Sequence, residues 1–372
     1  MRLDKILRGL KSFELDGDPA TEIASLAFDN RKVQSGDLFF CIRGLASDGH
    51  DFAPAAVKAG ALALVCERPL GLGVAEVIVP DSRAAMAPAA AAFNGFPTSE
   101  IRLAGITGTN GKTTTAFMLH EILEYAGIES GLMGTVKQLV GGVEETVERT
   151  TPEAIDLQAA FRRMAEAGDE ACVMEVSSHA MVMHRCDSID FDVAVFTNLT
   201  QDHLDFHEDM EEYFMAKRLL FAAGPGESVV NIDDAYGMRL AAEFETVTYS
   251  AEGSAADFTA SEVRFDAAGA NFLVESQYGD LIVRTALPGR FNVANALAAL
   301  AAGISLGVDP DEAVAALSGA GRVPGRFEPV DEGQDYAVIV DYAHTPDSVE
   351  NALRAARDLG SGRLIAIVGA GG

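Results

Sequence analysis

The run Gly108-Thr109-Asn110-Gly111-Lys112-Thr113-Thr114 concentrates residue types suited to handling phosphate. It follows the apolar segment Leu103–Ile106 and leads into a helical pattern over Thr114–Ala126. Glycines let backbone N–H groups converge on phosphate oxygens, and a helix N-terminus adds positive potential. Lys112 would reach the β- and γ-phosphates, and the Thr113 hydroxyl would take up Mg²⁺. Ile106 occupies the first glycine position of the strict GxxxxGK[ST] pattern, so the Lys-Thr pair and the strand–loop–helix context carry the match.

Two further segments end apolar runs in the same way. Glu175 closes Ala171–Val176, within Glu175-Val176-Ser177-Ser178-His179, and Asn198 follows Val193–Phe196. Open parallel sheets bind ligands beyond the carboxyl ends of their strands, so both segments should meet above the phosphate loop. Next comes Asp202-His203-Leu204-Asp205-Phe206-His207. A carboxylate and an imidazole there would hold Mg²⁺ at the γ-phosphate. The alternatives are helix capping for Glu175 and a structural role for His203. Zinc is disfavoured, because no cysteine lies nearby and phosphate calls for a hard, oxygen-loving ion. Lys217, in Tyr213-Phe214-Met215-Ala216-Lys217-Arg218, lies in an amphipathic helical pattern that alone suggests a surface lysine.

The elements that must position these groups fall into three sections. Up to about Phe96, short apolar runs (Asp37–Ile42, Ala61–Cys66, Val77–Val79) mix with helical stretches and end at the turn-rich Asn94-Gly95-Phe96-Pro97-Thr98. From Ile101, strand, loop and helix alternate, which predicts a parallel sheet covered by helices. Alternation over Ala270–Glu275 and Leu281–Leu287 suggests an antiparallel extension, followed by helices at Val293–Leu306 and Pro310–Ser318. Near Gly333 a third section begins, with strands expected at Tyr336–Val340 and Leu364–Val368 around a helix at Ser348–Leu359. One such unit buries too little surface to stand alone, so the expectation is an incomplete third domain.

Composition removes several classes. Acidic residues outnumber basic ones 56 to 28, a formal charge of −28, which argues against a nucleic-acid or anionic-membrane surface. No apolar run reaches the ~20 residues of a membrane span, and the N-terminus does not read as a secretory signal. Cys41, Cys66, Cys172 and Cys186 form no CxxC pair and read as reduced, buried thiols of a cytoplasmic protein.

Taken in order, the motifs resemble the Mur ligase family of cell-wall synthesis, and within it the branch that makes the UDP-linked tripeptide. The likeness runs through Asp29-Asn30-Arg31, Ser35-Gly36-Asp37-Leu38-Phe39, the phosphate loop, Thr150-Thr151-Pro152 and Glu175–His179. It continues through Thr197-Asn198-Leu199, Asp202–Asp205, Asn231 with Asp233-Asp234, and Gly289-Arg290-Phe291-Asn292 with Asn295. It ends with Gly325-Arg326-Phe327-Glu328 and Asp341-Tyr342-Ala343-His344-Thr345-Pro346. Folylpolyglutamate synthases typically continue Gly-Lys-Gly-Ser, and the D-Glu-adding relative usually lacks the counterparts of His179 and Arg185.

The resemblance implies an α/β, three-domain architecture with a central P-loop-type parallel sheet and a Rossmann-like C-terminal domain, here incomplete. The expected division is 1–97 for the UDP-MurNAc domain, 98–332 for the ATP domain and 333–372 for the start of the amino-acid domain. The implied reaction extends UDP-MurNAc-L-Ala-D-Glu with a diamino acid, either meso-diaminopimelate, the commoner choice, or L-lysine, through an acyl phosphate. A non-catalytic ATP-binding chain is the competing reading. ATP would contact Gly108, Thr109, Asn110, Gly111, Lys112, Thr113, Thr114, Asn292, Asn295 and Arg326. Two Mg²⁺ ions would be held by Thr113, Glu175, His203 and a carbamoylated Lys217, with Arg326 and Asp341 joining Lys112 in catalysis. The UDP-sugar would meet Phe28, Asn30, Leu45, Ala46, Ser47, Thr150, Thr151, Ser177, Met183 and Arg185. Asn30, Arg149 and Met183 depart from the usual serine, asparagine and glutamine. Monomers are usual among such proteins.

Overall fold

In the computed structural model, residues 1–44, 47–266, 269–319, 323–360 and 362–369 are described, and they group into two units. The first takes Met1–Ile101 with the excursions Pro152–Glu166 and His179–Ile189. Its sheet contains β1 (Glu14–Asp16), β2 (Ser25–Ala27), β3 (Asp37–Phe40), β4 (Ala63–Cys66) and β5 (Ala75–Ile78), ordered β1-β5-β4-β3-β2. Only β1 runs antiparallel. Every residue of β3 and β4 is buried, as continuous apolar runs must be when both faces of a parallel sheet are covered. One face packs Leu38, Phe40 and Val65 against Leu3 and Ile6 of α1 (Leu3–Ile6) and Met86 of a later helix. The other packs Phe39 and Leu64 against Ala53 and Ala56 of α2 (Ala53–Ala59). The helix that carries Met86, α3 (Ser82–Phe93), starts where the Asp81 carboxylate accepts from the N–H groups of Arg83 and Ala84.

The second unit holds Arg102–Thr151, Ala167–Ser178 and Asp190–Gly372. Its strands are β6 (Arg102–Thr107), β7 (Ser130–Met133), β8 (Gln138–Val140), β9 (Val143–Glu145), β10 (Ala171–Glu175), β11 (Val193–Phe196), β12 (Glu227–Asn231), β13 (Val247–Ser250), β14 (Phe258–Asp266), β15 (Gly269–Ser276) and β16 (Gly279–Thr285). They form one sheet, ordered β16-β15-β14-β13-β12-β11-β6-β10-β7-β8-β9. The stretch from β7 to β14 is parallel and antiparallel ribbons flank it. The helices from here on are α4 (Lys112–Tyr125), α5 (Ala154–Ala167, mostly of the first unit), α6 (Ser178–Val182), α7 (Met210–Ala222), α8 (Ala235–Glu243), α9 (Arg290–Ser305), α10 (Pro310–Gly319) and α11 (Pro346–Asp358). Leu119 and Ile122 of α4, Leu297 and Leu300 of α9 and Leu317 of α10 share a core with Ile106, Val173 and Val195 of the sheet. A Cβ at Gly303 would stand 2.8 Å from Ile122 Cγ2, so a glycine there lets α9 lie close on α4.

The parallel sheet and its antiparallel extension match the alternation in the sequence, but the third section differs. The run Leu364–Val368 forms no strand: Ile367 is 98% exposed, because no neighbouring edge among the described residues offers it a ladder. The strand expected from Tyr336 shortens to β18 (Val338–Val340), paired antiparallel only with β17 (Glu328–Val330). This section therefore shows a two-stranded ribbon and α11 in place of a parallel β-α-β unit. No helix among the described residues is long and apolar enough to cross a membrane.

Candidate active site

The phosphate loop is shaped by what lies against it. Gly108 adopts φ +147°, and a Cβ there would sit 1.9 Å from Thr197 Oγ1; Gly111, at φ +87°, would meet Asn295 Oδ1 at 2.3 Å. Sheet register places Glu175 beside Ile106 and Phe196 beside Thr107, so the carboxyl ends of β10 and β11 flank the loop. From β11, Asn198 clamps it: its Oδ1 accepts from Asn110 N at 2.9 Å and its Nδ2 donates to Asn110 O at 3.0 Å. Thr109 N donates to Asn198 O at 2.8 Å.

Glu175 is buried at the end of β10, where three hydrogen bonds hold its carboxylate. Thr113 Oγ1 and Thr135 N donate to Oε1 at 2.9 and 2.8 Å, and Thr135 Oγ1 donates to Oε2 at 3.1 Å. Arg326 reaches the same point, its NH2 donating to Thr113 Oγ1 at 3.0 Å while its buried Nε has no partner among the described residues. A hydroxyl and a carboxylate in contact form a hard oxygen donor set suited to Mg²⁺, and the orphaned guanidinium N–H suits a phosphate oxygen. Among the described residues no three His, Cys, Asp or Glu side chains gather as a ready-made metal cluster.

Two lysines meet at one oxygen. Lys112 Nζ donates to the carbonyls of Gly108 and Thr109, both at 2.8 Å, and Lys217 Nζ donates to the same Gly108 carbonyl at 2.8 Å. Lys217 points inward from α7 and is 1% exposed, the reverse of the surface lysine its segment alone suggests. Burial, and then the neighbouring Lys112, push the Lys217 ammonium well below its usual range, with Asp202 opposing. Burial likewise lowers Lys112, against the pull of Glu175. His203 sits half-buried in a left-handed turn at φ +53°, its Nε2 3.4 Å from Asp202 Oδ2. Burial lowers its imidazole, Asp202 opposes this, and Lys112 and Lys217 add to the lowering. The site thus disfavours charge on both the His203 imidazole and the Lys217 amine beside the loop.

Beyond the loop opens a cavity of about 600 Å³, lined among others by Thr114, Asn292, Asn295, Arg326, Asp341 and Asp347. Asn292 and Asn295 are buried on the first two turns of α9, with Asn295 Nδ2 donating to Asn292 Oδ1 at 3.2 Å. On the opposite wall Asp347, in the first turn of α11, accepts from Asn110 Nδ2 at 2.9 Å. Asp341 lines the cavity as a turn former, its two oxygens accepting from Phe327 N and Ala343 N at 2.7 Å each. That turn holds Phe327 at φ +45° and sets Arg326 with its Cζ 5.0 Å from the Tyr342 ring centroid.

The residues expected to meet the sugar substrate lie in both units. In the first, Phe28 and Asn30 are half-buried and Ser47 is exposed, while Leu45 and Ala46 lie outside the described residues. There too Arg185 pairs with Glu153 at 3.0 Å and donates to Met183 Sδ at 3.4 Å. In the second, Thr151 Oγ1 donates to Glu175 O at 2.8 Å and accepts from Ser177 N at 3.1 Å, and Thr150 Oγ1 lies 3.0 Å from Thr135 Oγ1. Thr135, Tyr213 and Asp347 went unread as site residues. Tyr213 had a signal, one helical turn before Lys217; Thr135, in irregular chain after β7, had none.

Three family models match the chain: the Mur ligase family, catalytic domain over residues 22–102, the Mur ligase middle domain over 106–303, and the Mur ligase, glutamate ligase domain over 325–372. The chain is 46% identical over 384 aligned positions to the UDP-N-acetylmuramoyl-L-alanyl-D-glutamate–2,6-diaminopimelate ligase of Geobacillus kaustophilus (strain HTA426), covering 100% of this chain and 78% of that protein. A solved structure of a ligase with the same name superposes with TM-score 0.82 at 29% identity, covering 100% of this chain and 77% of the other. The MurF ligase of Thermotoga maritima, solved with ADP, shares the fold, with TM-score 0.66 at 20% identity over 90% of this chain and 75% of its own.

Proposed function

The chain belongs to the Mur ligase family, and from that premise we propose that it is an ATP-dependent ligase adding meso-diaminopimelate to UDP-MurNAc-L-Ala-D-Glu. The observation that carries this reading is the convergence at Gly108: a phosphate loop with Lys112, the Thr113–Glu175 contact beside it, and an inward Lys217 on the same carbonyl. A carboxylate resists attack by an amine because oxide is a poor leaving group. The D-Glu side-chain carboxylate oxygen attacks the γ-phosphorus, ADP leaves, and an acyl phosphate forms. The amine of the diamino acid then attacks the acyl carbon, loses a proton and expels phosphate.

In this scheme Lys112 and Arg326 neutralise charge on the transferring group. The neutral amine of Lys217 attacks CO₂, forming an N–C bond and releasing one proton, and so turns a buried base into a carbamate anion. Thr113 and Glu175 would hold one Mg²⁺, and Glu175, His203 and carbamoylated Lys217 a second, supplying Lewis-acid stabilisation of the phosphoryl oxygens. Asn292 and Asn295 face the nucleotide. To the sugar-linked substrate we assign Thr150, Thr151 and Ser177 in the second unit, and Phe28, Asn30, Ser47, Met183 and Arg185 in the first. The three-part division 1–97, 98–332 and 333–372 assigns sugar nucleotide, ATP and amino acid in turn. A reaction that consumes ATP and a UDP-linked precursor belongs in the cytoplasm, and we take the enzyme to act as a monomer.

Phosphate release from ATP, measured with and without UDP-MurNAc-L-Ala-D-Glu and each diamino acid, tests the reading. Turnover should require both co-substrates and give a product heavier by one diaminopimelate residue. ATP binding with no stimulated release would refute it.

A further inference from the structure

Tyr213 is fully buried on α7 at a point where several parts of the site meet, and the ligase scheme assigns it nothing. Its Oη lies 3.2 Å from Thr109 Oγ1 in the phosphate loop, and that hydroxyl also accepts from Thr200 N at 3.0 Å. Its ring centroid is 4.6 Å from Lys217 Nζ. The His203 ring stands edge-on at 5.9 Å, and the His207 ring is stacked at 5.0 Å with 29° between planes. His207 Nε2 in turn lies 2.9 Å from Ser178 Oγ, three residues beyond Glu175. One aromatic side chain therefore touches the phosphate loop, the reactive lysine and the histidine turn, and through its stacked partner reaches the strand end that carries the carboxylate.

We infer that Tyr213 is a positioning residue, whose ring holds the Lys217 side chain in the rotamer that presents Nζ at Gly108 and fixes the spacing of Lys217 from His203. The inference rests on the carbamate reading of Lys217. A lysine has four side-chain torsions, and α7 alone leaves most of their combinations open; a flat wall under the nitrogen removes most of them. The polarised face of the ring also suits an N–H whether the nitrogen is an amine or a carbamate. The hydroxyl has a separate task, tying the ring to Thr109, so ring and hydroxyl can be told apart by substitution.

The test uses the full chain equilibrated with ¹³C-bicarbonate, reading the carbamate carbon by ¹³C NMR beside ADP affinity with and without Mg²⁺. Tyr213→Leu should reduce the carbamate signal about tenfold, the scale of freeing a buried lysine's rotamers, and abolish the Mg²⁺ enhancement of ADP binding. ADP affinity without Mg²⁺ should stay within about threefold, since the ring touches the loop only through its hydroxyl. Tyr213→Phe should keep the signal and lower kcat less than it raises the KM for ATP. If Tyr213→Leu does not fold, His207→Asn, which takes away the stacked ring behind Tyr213, should still weaken the signal. A wild-type signal in Tyr213→Leu, or in His207→Asn where Tyr213→Leu does not fold, overturns the positioning role alone. A wild-type chain with no signal that Lys217→Ala removes overturns the carbamate reading and this role with it.

Discussion

Replacing Gly134 by alanine presses on Glu175 without altering its chemistry. Gly134 does not adopt a positive φ, so alanine fits the backbone, yet its Cβ would lie 2.4 Å from Glu175 Oε1. An ordinary carbon–oxygen separation needs the carboxylate to retreat by roughly 1 Å. That movement stretches the bonds from Thr113 Oγ1 and Thr135 N, now 2.9 and 2.8 Å, past the useful limit. Hydrogen bonds to a charged group contribute ~1.5–3 kcal/mol each, so losing one or two costs about 2–4 kcal/mol once some water returns. A displacement of this size at a reacting centre typically costs about 100-fold in rate. The assay is phosphate release at saturating ATP across a Mg²⁺ titration, with thermal unfolding alongside. The expected result is a kcat roughly 100-fold lower, a higher Mg²⁺ requirement and a Tm lower by several degrees. A kcat within about threefold of wild type at the same Mg²⁺ midpoint would show that Glu175 has room to spare and that its position is not critical.

Other consequences are as direct. Asp347→Ala removes the acceptor of Asn110 Nδ2 and should raise the KM for ATP several-fold with little change in Tm, read by initial rates. The Asp48 carboxyl is held at about 2, below its usual 3.8, chiefly by the His50 N–H. The unfolded chain then binds more protons between those values, so this contribution is present above pH 3.8 and disappears as pH falls towards 2. After discounting for solvent screening it is worth ~1 kcal/mol, and Asp48→Ala should lower Tm at pH 7 by a few degrees, with the gap narrowing under acid. Burial raises all four thiols, Cys66 to about 11 and Cys41 and Cys186 to about 12. A thiol reagent at neutral pH should therefore leave the native chain unlabelled and mark all four cysteines after unfolding, counted by mass.

The strands at the middle of the second sheet are legible because parallel strands covered on both faces read as unbroken apolar runs, as at Ala171–Glu175 and Val193–Phe196. β7 is not, since its Ser130-Gly131 start carries little strand preference and its place beside β10 comes from pairing alone. The opposite error occurs at Leu364–Val368, where the pattern of a strand exists without an edge to join. Among the chemical groups, the phosphate loop speaks through its own residues. Lys217 does not: its helix has apolar residues on several faces, and only the order of distant motifs points inward. Thr135 is invisible, because its contact with Glu175 joins two chain segments 40 residues apart.

The two walls of the cavity beyond the phosphate loop are anchored very differently. Nearly every residue of α9 from Asn292 to Gly303 is buried, whereas α11 buries only Ala355. Shifting the first wall would mean remaking the core it shares with α4, while releasing the second means parting Asp347 from Asn110, Arg326 from Thr113, Phe327 from Phe291 and Ala355 from the backbone at Gly289. From this difference in burial the cavity is expected to work as a jaw with one fixed and one swinging side. Amide protons of α11 should exchange with solvent orders of magnitude faster than those of α9 until a nucleotide closes the bite.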